Sequence, residues 1–144
     1  MTALQEFLSP IDGATGRMVK TITGWSNINS GSGNLAGIAR LAEAVVPAFE
    51  AAGLNARYRE PETVTHVDDS GAVITIPRGG TWHFSNRPDA PRRILLTGHL
   101  DTVFPQDHPF QTVERKHDGD KGDILHGPGC ADMKGGICVM LEAI

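Results

Sequence analysis

The 144-residue sequence is short of several features that would place it elsewhere. It has only two cysteines, Cys130 and Cys138, too few for a disulfide framework, so reduced thiols in a cytoplasmic protein are expected. No apolar run approaches the roughly 18 residues a membrane span requires. The longest clean ones are 94–96 and 137–141, so no membrane partner is expected. The stretch from Met1 to Pro10 has no basic start, apolar stretch or small-residue cleavage site, so nothing in it reads as a secretory signal. Basic residues number 13 against 17 acidic ones, a net charge of -4, and no Lys/Arg-rich run offers a surface for phosphates. Nucleic acid is therefore not an expected partner.

What is present fits a folded soluble protein. Hydrophobic residues make up 40% and charged residues 21%, and the length suits one compact domain or part of a larger one. Glycine is the outlier, with 17 residues, about 12% where about 7% is usual. Much of it stands beside His and Asp in the second half of the chain.

Met18, Val19, Ile22 and Trp25 recur at three- and four-residue spacing, which predicts a helix over 15–28. Asn29-Ser30-Gly31-Ser32-Gly33-Asn34 is a polar break whose side chains can cap a second helix over 34–52, with Leu35, Ile38, Leu41, Val45 and Phe49 on one face. Gly53 suits its left-handed end, and Pro47 predicts a kink or an early stop. The period then shortens: 55–60, 63–67, 72–77 and 81–85 read as strands, the middle two joined as a hairpin by Asp68-Asp69-Ser70-Gly71. Arg92-Arg93-Ile94-Leu95-Leu96-Thr97-Gly98 has consecutive apolar residues and reads as a central parallel strand buried on both faces. Segments 110–116 and 123–126 flank Asp118-Gly119-Asp120 as another hairpin, and Gly135 opens a final helix.

Two segments carry chemistry. The run Gly98-His99-Leu100-Asp101-Thr102-Val103-Phe104-Pro105 follows the expected strand, at the end where α/β sheets bind ligands. In extended chain, residues two apart point the same way, so Asp101 can accept the second ring N–H of a metal-binding His99. His-x-Asp is a short pattern, and an ordinary exposed loop would explain it equally well. About thirty residues on stands His126-Gly127-Pro128-Gly129-Cys130-Ala131-Asp132-Met133-Lys134-Gly135-Gly136, in which a tight turn can present Asp132 at a helix start. One carboxylate has two oxygens and can bridge two divalent ions. Alone, Asp132 would read as a plain helix-start Asp.

Taken together, these segments and Trp25-Ser26-Asn27-Ile28-Asn29-Ser30-Gly31-Ser32-Gly33-Asn34 closely resemble the zinc aminoacylase and carboxypeptidase family. That family includes glutamate carboxypeptidase, acetylornithine deacetylase and succinyl-diaminopimelate desuccinylase. Gly-Pro-Gly and the Val-Phe-Pro tail are most like the glutamate carboxypeptidase branch. The resemblance implies an α/β fold: the N-terminal part of a three-layer αβα catalytic domain with a mixed, mainly parallel sheet, over residues 1–144. It implies two zinc ions in a complete site, cobalt being an alternative occupant. His99 would be a terminal ligand, Asp132 the bridging ligand, and Asp101 the catalytic-site carboxylate that orients His99. The bond after Asp132 is often cis in the family.

The resemblance also implies a Glu-Glu pair (general base and ligand), a further acidic ligand, a distal His and an inserted domain that often forms a homodimer. No Glu-Glu pair occurs in the chain. The expected protein is a two-zinc hydrolase that releases a C-terminal amino acid, glutamate being one candidate, from a small peptide or N-acyl amino acid. The 144 residues are expected to be a fragment inactive by itself. The rival readings are a deacylase of the same family and a non-catalytic module that keeps the fold. Cys130 reads as packing rather than ligation, His126 as an exposed strand end, and Asp107, His108, His117 and Asp118 as solvated loops. His66 and His83 are assigned no role, and the alternating charge over 114–123 reads as a solvated hairpin tip.

Overall fold

The computed structural model describes residues 3–120 and 122–144. Lys121, in the charged hairpin tip, lies outside the described residues. Among the described residues, four helices and six strands follow in the order α1 (Ala3–Asp12), α2 (Thr15–Ser26), α3 (Leu35–Ala51), β1 (Asn55–Arg59), β2 (Val64–Val67), β3 (Val73–Ile76), β4 (Thr81–Ser85), β5 (Glu114–Asp118), β6 (Gly122–His126) and α4 (Lys134–Glu142). None of the described helices is long and apolar enough to cross a membrane.

Helices α2, α3 and α4 meet over a core of Trp25, Leu41, Val45, Phe49, Ile137 and Cys138, with Met18, Ile22, Leu100 and Met133 packed against it. Of the predicted apolar faces, Trp25, Leu41, Val45 and Phe49 are buried, and Met18, Val19, Ile22, Leu35 and Ile38 are partly buried. Asn34 caps α3 by accepting from the Gly37 amide at 3.0 Å, and Gly53 follows the helix with φ at +88°. The helix runs through Pro47 to Ala51, so the expected early stop does not occur. A proline inside a helix costs about 3 kcal/mol. The flanking Val45 and Phe49 are both buried, and at about 1.5–3 kcal/mol for each side chain their burial offsets that cost.

The strands form three two-stranded antiparallel sheets, β1 with β4, β2 with β3 and β5 with β6. The β1–β4 ribbon leans on α3, where the Phe84 ring stacks on Phe49 at 4.7 Å between centroids. Both hairpins form, the second with its first strand at 114–118 rather than the expected 110–116 and with Asp118 paired in that strand. In the first, Asp68 Oδ1 accepts from the Ser70 and Ala72 amides at 2.9 and 3.0 Å, the usual way an Asp closes a turn.

The mixed α/β content stands, but the expected central parallel strand is corrected. Residues 92–98 pair with no strand among the described residues, and Ile94 and Leu95 are 89% and 85% exposed. A parallel strand needs neighbours delivered by crossover connections, and the described strands are all spent on local antiparallel pairs. Among the described residues, the single parallel contact is an isolated bridge between Gly31 and Thr102.

Candidate metal centre

The site is assembled by the loop between α2 and α3. Its Ser30 hydroxyl donates to the Leu100 carbonyl at 2.8 Å, the Thr102 amide donates to the Ser30 carbonyl at 2.9 Å, and the Ser32 amide donates to the Thr102 carbonyl at 3.0 Å. Asn29 Nδ2 adds bonds to the Phe104 carbonyl at 3.1 Å and to Gln111 Oε1 at 2.8 Å. Thr102 and Ser30 are buried, so the backbone on either side of Asp101 is held although the segment belongs to no sheet.

On this frame the sequence-predicted residues come together. His99 Nδ1 lies 3.0 Å from the Asp101 carbonyl and 3.1 Å from its Oδ1, while Nε2 lies 3.0 Å from Asp132 Oδ1. Both ring nitrogens thus face acceptors, an arrangement only the doubly protonated imidazolium satisfies as a donor on each side. Burial works against that charge, but the hydrogen bonds to Asp132 and the Asp101 backbone, with the charges of both carboxylates, outweigh it and raise the His99 pKa above its usual value. A metal ion would take the place of the Nε2 proton, so proton and metal compete for this nitrogen.

Asp132 sits in the turn before α4, its side chain 83% exposed, and the Asp132–Met133 peptide bond is cis. The donor set fits zinc in part. Zinc–nitrogen and zinc–oxygen bonds of about 2.0–2.1 Å place neighbouring tetrahedral ligands about 3.3 Å apart, close to the observed 3.0 Å between Nε2 and Oδ1. Among the described residues, no group of three or more His, Cys, Asp or Glu side chains is placed to hold an ion.

Two members escaped the sequence reading. Ser32 donates to Asp101 Oδ2 at 2.5 Å, a contact that the role of its loop as a helix cap does not foretell. Lys134, 1% exposed, donates to the Trp25 carbonyl at 3.2 Å and the Ile28 carbonyl at 2.8 Å, and burial pulls its pKa down to about 8. A cation at the first position of a helix opposes the helix dipole, and that was the available signal.

The remaining candidates stay apart from the site. Cys130 donates weakly to Ser26 Oγ at 3.6 Å. His126 packs its ring on Phe110 at 4.9 Å, His108 accepts from the Phe110 amide at 3.0 Å, and His117 meets Asp123 at 3.0 Å. A concavity lined by Ser32, Asn34, Thr102, Pro105 and Asp107 among others includes neither His99 nor Asp132.

Comparison with known proteins agrees with this segment. Residues 95–144, which contain His99, Asp101 and Asp132, match Peptidase family M20/M25/M40. The chain is 36% identical over 61 residues to a succinyl-diaminopimelate desuccinylase of Erythrobacter litoralis, covering 40% of this chain and 15% of that protein. It is 31% identical over 78 residues to a LysW-lysine hydrolase of Deinococcus radiodurans, covering 54% and 17%. With carboxypeptidase G2 of a Pseudomonas species it shares 28% identity over 131 residues, 88% of this chain and 27% of that protein. The chain thus spans between 15% and 27% of the length of these relatives. The family resemblance read from the motifs is borne out as a similarity, by the match over residues 95–144 and by these relatives.

Proposed function

We propose that this chain supplies part of the metal site of a two-zinc amide hydrolase, with His99 as a ligand of one ion, Asp132 as the carboxylate shared by both, and Asp101 as the group that orients His99. The observation that carries the reading is the convergence of His99 Nε2 and Asp132 Oδ1 at 3.0 Å with the opposite ring nitrogen held by Asp101. Bound there, zinc would supply Lewis acidity toward an amide carbonyl and lower the pKa of water. The chain's own part is to hold the imidazole in one tautomer and orientation and to present a carboxylate whose Oδ1 meets His99 Nε2. The general base and remaining ligands lie outside these 144 residues in this reading, and the chain alone does not turn over substrate.

The substrate is an amide that ends in an amino acid: a peptide with a C-terminal residue such as glutamate, or an N-acyl amino acid. The deacylase alternative is favoured by the 36% identity to a desuccinylase, the peptidase reading by the 88% of this chain aligned with carboxypeptidase G2.

Calorimetric titration with Zn²⁺ tests the site. Uptake by the wild-type chain that is lost in both His99→Ala and Asp132→Ala is the expected result. Equal uptake by all three would refute the assignment, and hydrolysis of N-acetylglutamate by the chain alone would refute the division of labour.

A further inference from the structure

Lys134 has no part in the chemistry outlined above, yet it is among the most buried side chains of the protein. It opens α4, where the positive end of the helix dipole disfavours an ammonium. Its side chain turns away from that position and reaches the far end of α2, where Nζ donates to the Trp25 and Ile28 carbonyls. A helix C-terminus leaves carbonyls without partners and carries the negative end of its dipole, so the cation is stabilised there in two ways.

The turn carrying Asp132 is wrapped around this side chain. A Cβ on Gly129 would lie 2.8 Å from Cδ and 3.0 Å from Cγ of Lys134, and Gly129 has φ at +78°. Pro128 and Gly129 are themselves buried. Ile28, which receives the ammonium, opens the same loop that binds Leu100 through Ser30 and Asp101 through Ser32. One loop therefore holds the His99 segment from one side and, through Lys134, the Asp132 turn from the other.

We propose that Lys134 is a positioning residue for the Asp132 carboxylate, tying the turn before α4 to the loop after α2 so that His99 Nε2 and Asp132 Oδ1 meet. As a statement about metal binding this rests on the zinc reading of the site. As a statement about geometry it does not.

The test compares the wild-type chain with Lys134→Met, which keeps the length and apolar stem and removes the donors. The ¹⁵N signals of the His99 ring at fixed pH report the Nε2 contact without metal, and calorimetry reports Zn²⁺ affinity. A folded Lys134→Met variant should show the Nε2 signal moved toward that of a solvent-exposed imidazole. Its Zn²⁺ affinity should fall about 10- to 100-fold, as when a group that orients a ligand is removed. A folded variant with both readouts unchanged overturns the proposal. If the wild type binds no Zn²⁺, the metal reading fails, and the ring signal alone still decides the positioning role. If the variant does not fold, through-hydrogen-bond couplings from the wild-type Lys134 ammonium to the Trp25 and Ile28 carbonyls decide: their detection supports the tie, and their absence overturns it.

Discussion

The Ser32 hydroxyl donates to Oδ2 of Asp101 at 2.5 Å, which leaves Oδ1 of the same carboxylate for His99 Nδ1 at 3.1 Å. The two oxygens thus have separate tasks, one fixing the carboxylate to the loop and the other fixing the imidazole to the carboxylate. An amide has one acceptor oxygen and a pair of donors, so in Asp101→Asn either the amide group faces the His99 ring N–H, or it turns to Ser32, whose hydroxyl must then accept and give up its bond to position 101 as donor; in both cases the negative charge beside His99 is lost. The expected outcome is a loss of about 10- to 100-fold in Zn²⁺ affinity by calorimetry with an unchanged far-UV circular dichroism spectrum. Ser32→Ala should shift affinity in the same direction by less.

Two glycines in neighbouring helices should respond to alanine with opposite signs. Gly24 in α2 has open space where a Cβ would stand, so Gly24→Ala should gain about 0.5–1 kcal/mol from helix propensity. Gly37 in α3 is buried against the Asn29 carbonyl and the Asn34 side chain, and a Cβ there would overlap both. The strain of overpacking, about 1–3 kcal/mol, outweighs the same propensity gain, so Gly37→Ala should be destabilising in urea denaturation.

Leucines at 41 and 95 separate the core from the run that the sequence makes look like core. Leu41 is fully buried among the helices, and Leu41→Ala should cost about 2–5 kcal/mol. Leu95 is 85% exposed, and Leu95→Ala in this chain should stay within about 0.5 kcal/mol of wild type. A large loss at Leu95 in chemical denaturation would show that the 92–98 segment is buried in solution.

The elements legible in the sequence were those decided within a few residues. Asn34 capping α3, Asp68 closing the β2–β3 turn and the pairing of those two strands depend on neighbours in the chain, and the structure places them as read. Ile94-Leu95-Leu96 was different, because consecutive apolar residues signal an appetite for burial without naming what provides it. The site was legible as far as residue type and spacing reach, which brought out His99, Asp101 and Asp132. Ser32 and Lys134 were not, since each acts on a partner 69 or more residues away.

The ion pair between α2 and α4 gives a pH dependence with a definite sign. Arg17 holds Glu142 through two hydrogen bonds, at 2.9 and 2.5 Å, and lowers the Glu142 pKa from the ordinary 4.5. A carboxylate whose folded pKa is depressed stabilises the fold above the unfolded value and loses that contribution as pH falls through the folded one. Glu142→Gln should therefore melt below wild type at pH 7, and the difference should shrink from about pH 4.5 downward until the two curves coincide. A difference that persists in strong acid would assign the effect to packing.

The isolated bridge between Gly31 and Thr102 joins segments that are far apart in the chain, which bears on the order of assembly. Arg115 meets Asp123 only 8 residues away, while Ser30 waits for a partner 70 residues on and Lys134 must find carbonyls 106 and 109 residues behind it. Closing long loops slows folding far more than it weakens the finished contact. On a ribosome, α2 and its loop would emerge, cap and pack against α3 well before His99 or Asp132 had been made, leaving the Ser30 and Ser32 hydroxyls and the Asn29 amide group bonded to water until about a hundred residues had been made.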